Sequence, residues 1–166
     1  MIPLSLAIAL TIRVGLYYGE QNWQAMRQVQ KIGLIFATIF AFATMTLITF
    51  ARPEIVSIYT NDLQVMPVAM YLLWFAMAYQ LMDAWQVSAA GCLRGMQDTQ
   101  APMWITFIAY WVIAFPIGVY LARYTHWGVA GVWLGLIVGL TIACVLLIRR
   151  LYVNNHRLAQ SLSVKG

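Results

Sequence analysis

Asp83 stands in a run of apolar residues, 70–90, that is long enough to cross a bilayer, and no other acid occupies such a run. A carboxylate at the centre of a membrane helix costs roughly 2.5–3.5 kcal/mol on insertion scales. A group carried at that cost is expected to bind an ion or a proton, or to contact another helix. Its neighbours sharpen the expectation. Tyr79, Asp83, Gln86 and Ala90 follow i, i+4, i+7, i+11 and share one helical face, with Gln80 at its edge. A phenol can donate to a carboxylate, and an amide can donate or accept. Such a face can offer oxygens to Na⁺ or keep a proton on a desolvated carboxyl. The competing reading is a structural acid that pairs with Arg13 or with a cation on another helix.

The elements that must hold this face are membrane helices. Of 166 residues, 63% are hydrophobic and 9% are charged, against about 45–50% and 25% in soluble domains. Apolar segments cover residues 1–18, 32–51, 65–91, 101–121 and 129–148. A spanning helix needs about 20 residues, and lipid demands that its backbone be satisfied internally. Alternation with period two is absent, so a barrel is not expected. The predicted fold is all-α and polytopic, with five transmembrane helices. Residues 55–59 are predicted to form a short interfacial helix, and Asn61-Asp62 to punctuate the loop after it. The tail, 151–166, is expected to be cytoplasmic and to fray beyond Tyr152. The chain opens directly on an apolar segment with no polar lead-in, which predicts the end of a longer protein.

Loop charge gives an orientation. Arg27, Lys31, Arg94, Arg149, Arg150, Arg157 and Lys165 fall on one side, and Arg52 and Arg123 on the other. By the positive-inside rule the first side is cytoplasmic, with the N-terminus outside and the C-terminus inside. The net charge of +5 therefore reads as topology, and no basic stripe for nucleic acid is present. Tyr17, Tyr18, Trp23, Tyr120, Tyr124 and Trp127 lie near predicted helix ends, where amphipathic rings anchor.

Enzyme chemistry is not expected. His126 and His156 lack partner carboxylates nearby, and no nucleotide or metal motif occurs. Cys92 and Cys144 have no metal spacing and are expected as free thiols, with a disulfide as the alternative. Gly131, Gly135 and Gly139 repeat every four residues, which predicts close helix packing. Pro116 predicts a kink. The run 65–91 holds seven Leu, Ile, Phe or Val residues. At roughly −0.3 to −0.6 kcal/mol each they offset little more than the acid, so this helix needs neighbours to cover its polar face.

The stretch Tyr79-Gln80-Leu81-Met82-Asp83-Ala84-Trp85-Gln86, followed by Gly91-Cys92-Leu93-Arg94-Gly95-Met96-Gln97-Asp98-Thr99, resembles the tenth helix and following loop of MATE (multidrug and toxic compound extrusion) exporters of the NorM-like bacterial branch. Thr11-Ile12-Arg13-Val14-Gly15 with Gly19-Glu20 resembles the end of the eighth helix. Arg52-Pro53-Glu54-Ile55 with Tyr59-Thr60-Asn61-Asp62 resembles the outer loop before the tenth, and Pro116-Ile117-Gly118 the eleventh. The resemblance implies helices eight to twelve of a twelve-helix transporter. Residues 1–150 would be a partial C-terminal six-helix lobe in a bacterial inner membrane. It also implies exchange of cationic, amphiphilic drugs for Na⁺ or H⁺, with no other cofactor. Asp83 would be the cation-binding acid of the lobe and Tyr79 its supporting ligand, with Gln80 and Gln86 as further polar support. The partners implied are membrane lipid, drug-like cations, and the N-terminal lobe and seventh helix that this chain does not contain. An inactive truncated fragment, a membrane scaffold, or a lipid-linked precursor flippase of the wider superfamily remain alternatives.

Overall fold

In the computed structural model, which describes residues 2–59 and 65–163, every regular element is helical. The order is α1 (Ile2–Gly19), α2 (Trp23–Phe50), α3 (Arg52–Tyr59), α4 (Val65–Gly95), α5 (Gln100–Phe107), a π-helical turn (Ile108–Ala114), α6 (Phe115–Tyr124) and α7 (Val129–Ser163). Four helices are long and apolar enough to cross a membrane: α2, α4, the continuous Gln100–Tyr124 and α7; α1 is apolar but shorter. Asn61-Asp62 lies outside the described residues.

The two tight turns share one device. Asn22 N–H donates to Tyr17 O and Gln21 N–H to Tyr18 O, with Gln21 at φ +56°. Asp98 N–H donates to Leu93 O and Gln97 N–H to Arg94 O, with Gln97 at φ +62°. Both are Schellman ends, in which a left-handed residue lets two backbone donors reach back and satisfy the last carbonyls. Asn22 then opens α2, accepting Ala25 N–H on its side-chain oxygen at 3.1 Å.

Two boundaries depart furthest from the hydropathy reading. α2 begins at Trp23 rather than 32, and α7 runs to Ser163 rather than ending at 148 with a frayed tail. Apolar runs mark the lipid-embedded part of a helix, not its hydrogen-bonded ends. The polar ends stay helical because they dock on each other. The Arg27 guanidinium donates to Asn155 O at 2.8 Å, and Asn155 Nδ2 donates to Gln30 Oε1 at 2.7 Å.

α4 is the central helix, in contact with α1, α2 and α7. It meets α1 through small residues. A Cβ on Gly91 would stand 2.6 Å from Ala7 O, and one on Gly95 2.7 Å from Thr11 O. Thr11 Oγ1 donates to Gly91 O at 3.0 Å across this contact. Gly131, Gly135 and Gly139 pack α7 against Leu121, Gly118 and Ala114 in the same manner, as their spacing predicts. The main core gathers Leu10, Val14, Met26, Cys92, Leu93 and Leu147 at one end of the bundle. Cys92 and Cys144 are both buried and free.

Before Pro116 the helix carries a π-turn, a feature that itself accompanies kinks. The helix widens there, and Phe115 N–H reaches Tyr110 O. Proline lacks an N–H and its ring crowds the carbonyl four residues back. A π-turn spreads that clash over a wider loop of backbone, and such turns recur at functional sites.

Candidate cation site

Asp83 sits on α4, nine residues and so about 13 Å along the helix from Cys92 of the main core. There α1, α4 and α7 leave an open cleft of about 770 Å³. Tyr79, Gln80 and Asp83 line it from α4, Pro3 and Leu4 from α1, and Trp133 and Leu136 from α7. Asp83 is half-buried and Gln86 is buried.

The predicted face is only partly the observed one. Tyr79, Gln80 and Asp83 come together at the cleft. Gln80 is also anchored, its Nε2 donating to Thr44 Oγ1 of α2 at 2.6 Å. Trp85 Nε1 donates to Thr38 Oγ1 at 2.8 Å, a second tie between the same helices. Gln86 turns away from the cleft, and its Oε1 accepts the Tyr110 hydroxyl at 2.9 Å. Tyr110 lies in the π-turn and is near enough to interact with both Tyr79 and Asp83. The Tyr79 ring meets the Trp133 ring edge-on, centroids 6.3 Å apart. Sequence reasoning missed Tyr110 and Trp133 as parts of this site. The available signal was a tyrosine in mid-span close before Pro116.

Arg13 is not the partner of Asp83. It is exposed, and it lies about 13 Å further along α1 than Leu4, which borders the cleft. The one ion pair among the described residues is Arg150 with Asp98, at 2.8 Å.

The chemistry on offer is one carboxylate beside phenol and amide oxygens. One negative charge with neutral oxygen donors suits a monovalent cation or a proton. Among the described residues no three His, Cys, Asp or Glu side chains gather as a metal site.

An acid on an open cleft among apolar helices is the kind of position where membrane proteins place functional groups. Residues 1–120 match the family model MatE. The "Probable multidrug resistance protein NorM" of Acinetobacter baylyi is 74% identical over 160 residues, covering 96% of this chain and 36% of that protein. The "Multidrug resistance protein NorM" of Vibrio cholerae is 42% identical over 158 residues, covering 92% of the chain and 34% of the relative. The eukaryotic MATE transporter AtDTX14 shares the fold with a TM-score of 0.87 at 20% identity, over 96% of this chain and 36% of that one. The chain belongs to the MatE family, a family of transporters and not of enzymes. It spans about a third of the length of the relatives it matches.

Proposed function

We propose that the chain is part of a secondary multidrug/cation antiporter of a bacterial inner membrane, with its N-terminus outside and its C-terminus in the cytoplasm. Cationic, amphiphilic drugs leave in exchange for Na⁺ or H⁺. The remainder of the transporter, including the N-terminal lobe and seventh helix, completes the path. Asp83 holds the coupling ion, Tyr79 is its supporting ligand, and Gln80 and Gln86 brace the face.

The observation that carries this reading is Asp83 itself: an acid in mid-helix, open to a cleft, beside two phenols and without an ion-pair partner among the described residues. An intramembrane acid is by default a candidate functional group, and an ion that comes and goes would meet its charge. Cation and drug then favour different states of the lobe pair, and that difference couples the two fluxes. Kinship with proteins named for multidrug resistance supports the drug side of the exchange.

The test is Asp83→Asn in the full-length transporter. Ion-coupled ethidium efflux is expected to disappear while the protein still reaches the membrane. Unchanged efflux would refute the assignment.

A further inference from the structure

We infer that the groove between the start of α2 and the end of α7 binds the headgroup of an anionic phospholipid. The groove encloses about 390 Å³. Its residues run in opposite directions on the two antiparallel helices. Arg27, Lys31 and then Leu34 follow one face of α2, and Ile148, Leu151 and then Asn155 and His156 follow one face of α7. One end of the groove is therefore basic and polar, the other apolar. A second hollow of about 410 Å³ adjoins it and shares Arg27 and Lys31. Among the described residues no carboxylate lines either hollow.

Arg27 is pre-set for an anion. One arm of its guanidinium is fixed on Asn155 O at 2.8 Å. Its Nε is buried and has no acceptor among the described residues. A buried charged donor without an acceptor is costly. The planar guanidinium fork of Arg27, which lines the groove, suits a phosphate oxygen. Lys31 is exposed beside it and adds a second positive charge.

The amphipathic gradient favours a lipid over a free anion. The apolar run of α2 starts at Ile32, one residue past Lys31, so the basic end lies at the level where headgroups meet acyl chains. Past it, Leu34, Ile148 and Leu151 offer a bed for a chain. Basic pockets between membrane helices are suited to acidic headgroups. The inference rests on the membrane placement of the chain and not on the proposed exchange.

The full-length transporter in detergent is mixed with phosphatidylglycerol and phosphatidylcholine of equal chain length, and retained lipid is counted by native mass spectrometry. Phosphatidylglycerol is expected to be retained in preference. Lys31→Gln, at an exposed side chain that leaves the fold intact, should cut that retention about fivefold. Arg123→Gln, on the α6 helix away from the groove, should leave it unchanged. Glycerol 3-phosphate at the same concentration should not displace the lipid. Equal retention of the two lipids, an unaffected Lys31→Gln, an equal loss in Arg123→Gln, or displacement by glycerol 3-phosphate would each overturn the inference. None of these readouts involves efflux, so failure here is distinct from failure of the proposed exchange.

Discussion

Tyr110 ties the candidate site to the helix that carries the π-turn. Its hydroxyl is spent on Gln86, so its ring is held beside Tyr79 and Asp83 rather than swinging free. Tyr110→Phe removes one interhelical hydrogen bond and leaves the Gln86 oxygen without that donor. Within membranes such a bond contributes on average about 0.6 kcal/mol. We expect a small drop in thermal midpoint in detergent. We expect a larger effect on coupling, read as a weaker dependence of efflux on the ion gradient. An unchanged gradient dependence would limit Tyr110 to packing. Asp83 and Tyr79 were legible in the sequence because they are four residues apart on one helix. Tyr110 was not, because its place beside them depends on how α4 meets another helix. The π-turn hid it further, since periodicity of 3.6 residues cannot register a turn that breaks that period.

Among the elements, the glycine crossings set how closely the helices approach. A Cβ on Gly135 would lie 2.5 Å from Gly118 Cα, against backbone that cannot yield by changing rotamer. Gly135→Ala should push α6 from α7 and cost about 1–3 kcal/mol, seen as a lower melting temperature in detergent. Gly19→Ala, where nothing lies within 4 Å, should be neutral or slightly stabilising. Equal effects would mean that close approach is not what these glycines supply. The four-residue repeat announced this contact, but not its partner on α6. Hydropathy located the lipid-facing middle of α2 and α7 and missed their polar ends. Those ends are fixed by Arg27, Gln30 and Asn155, which bind one another across 125 or more residues of sequence.

At the scale of the molecule, one end of the bundle is clamped and the other is open. Asp98, in the turn after α4, accepts Arg150 Nε at 2.8 Å and Asn154 Nδ2 at 2.9 Å on the same oxygen. Partial burial alone would raise its pKa. The hydrogen bonds from Arg150 and Asn154, with the Arg150 charge, outweigh burial and hold the carboxyl below the usual range. The unfolded chain therefore takes up this proton at higher pH than the folded one. The clamp contributes fully above the ordinary aspartate value near about 4. Its contribution is lost as pH falls through the lower folded value. On acidification from about pH 7 to 3, wild type should lose more thermal stability than Asp98→Asn, whose side chain does not titrate. Parallel losses would show that the clamp adds no stability. The clamp sits at the end that also holds the core residues Leu93 and Leu147, while the cleft opens further along α4. A bundle built this way can stay rigid at one end while the cleft at mid-α4 stays open.

The π-turn has a consequence for chain length. Relative to a plain α-helix, it accommodates surplus backbone between Gln100 and Tyr124. Each residue added to or taken from a helix swings everything beyond it by about 100°. That surplus sets the azimuth between Tyr110, turned toward Gln86, and Gly118, turned toward Gly135. A one-codon deletion at this place would keep a span of workable length and every polar residue of the cleft. It would still set the two ends of the helix facing the wrong neighbours.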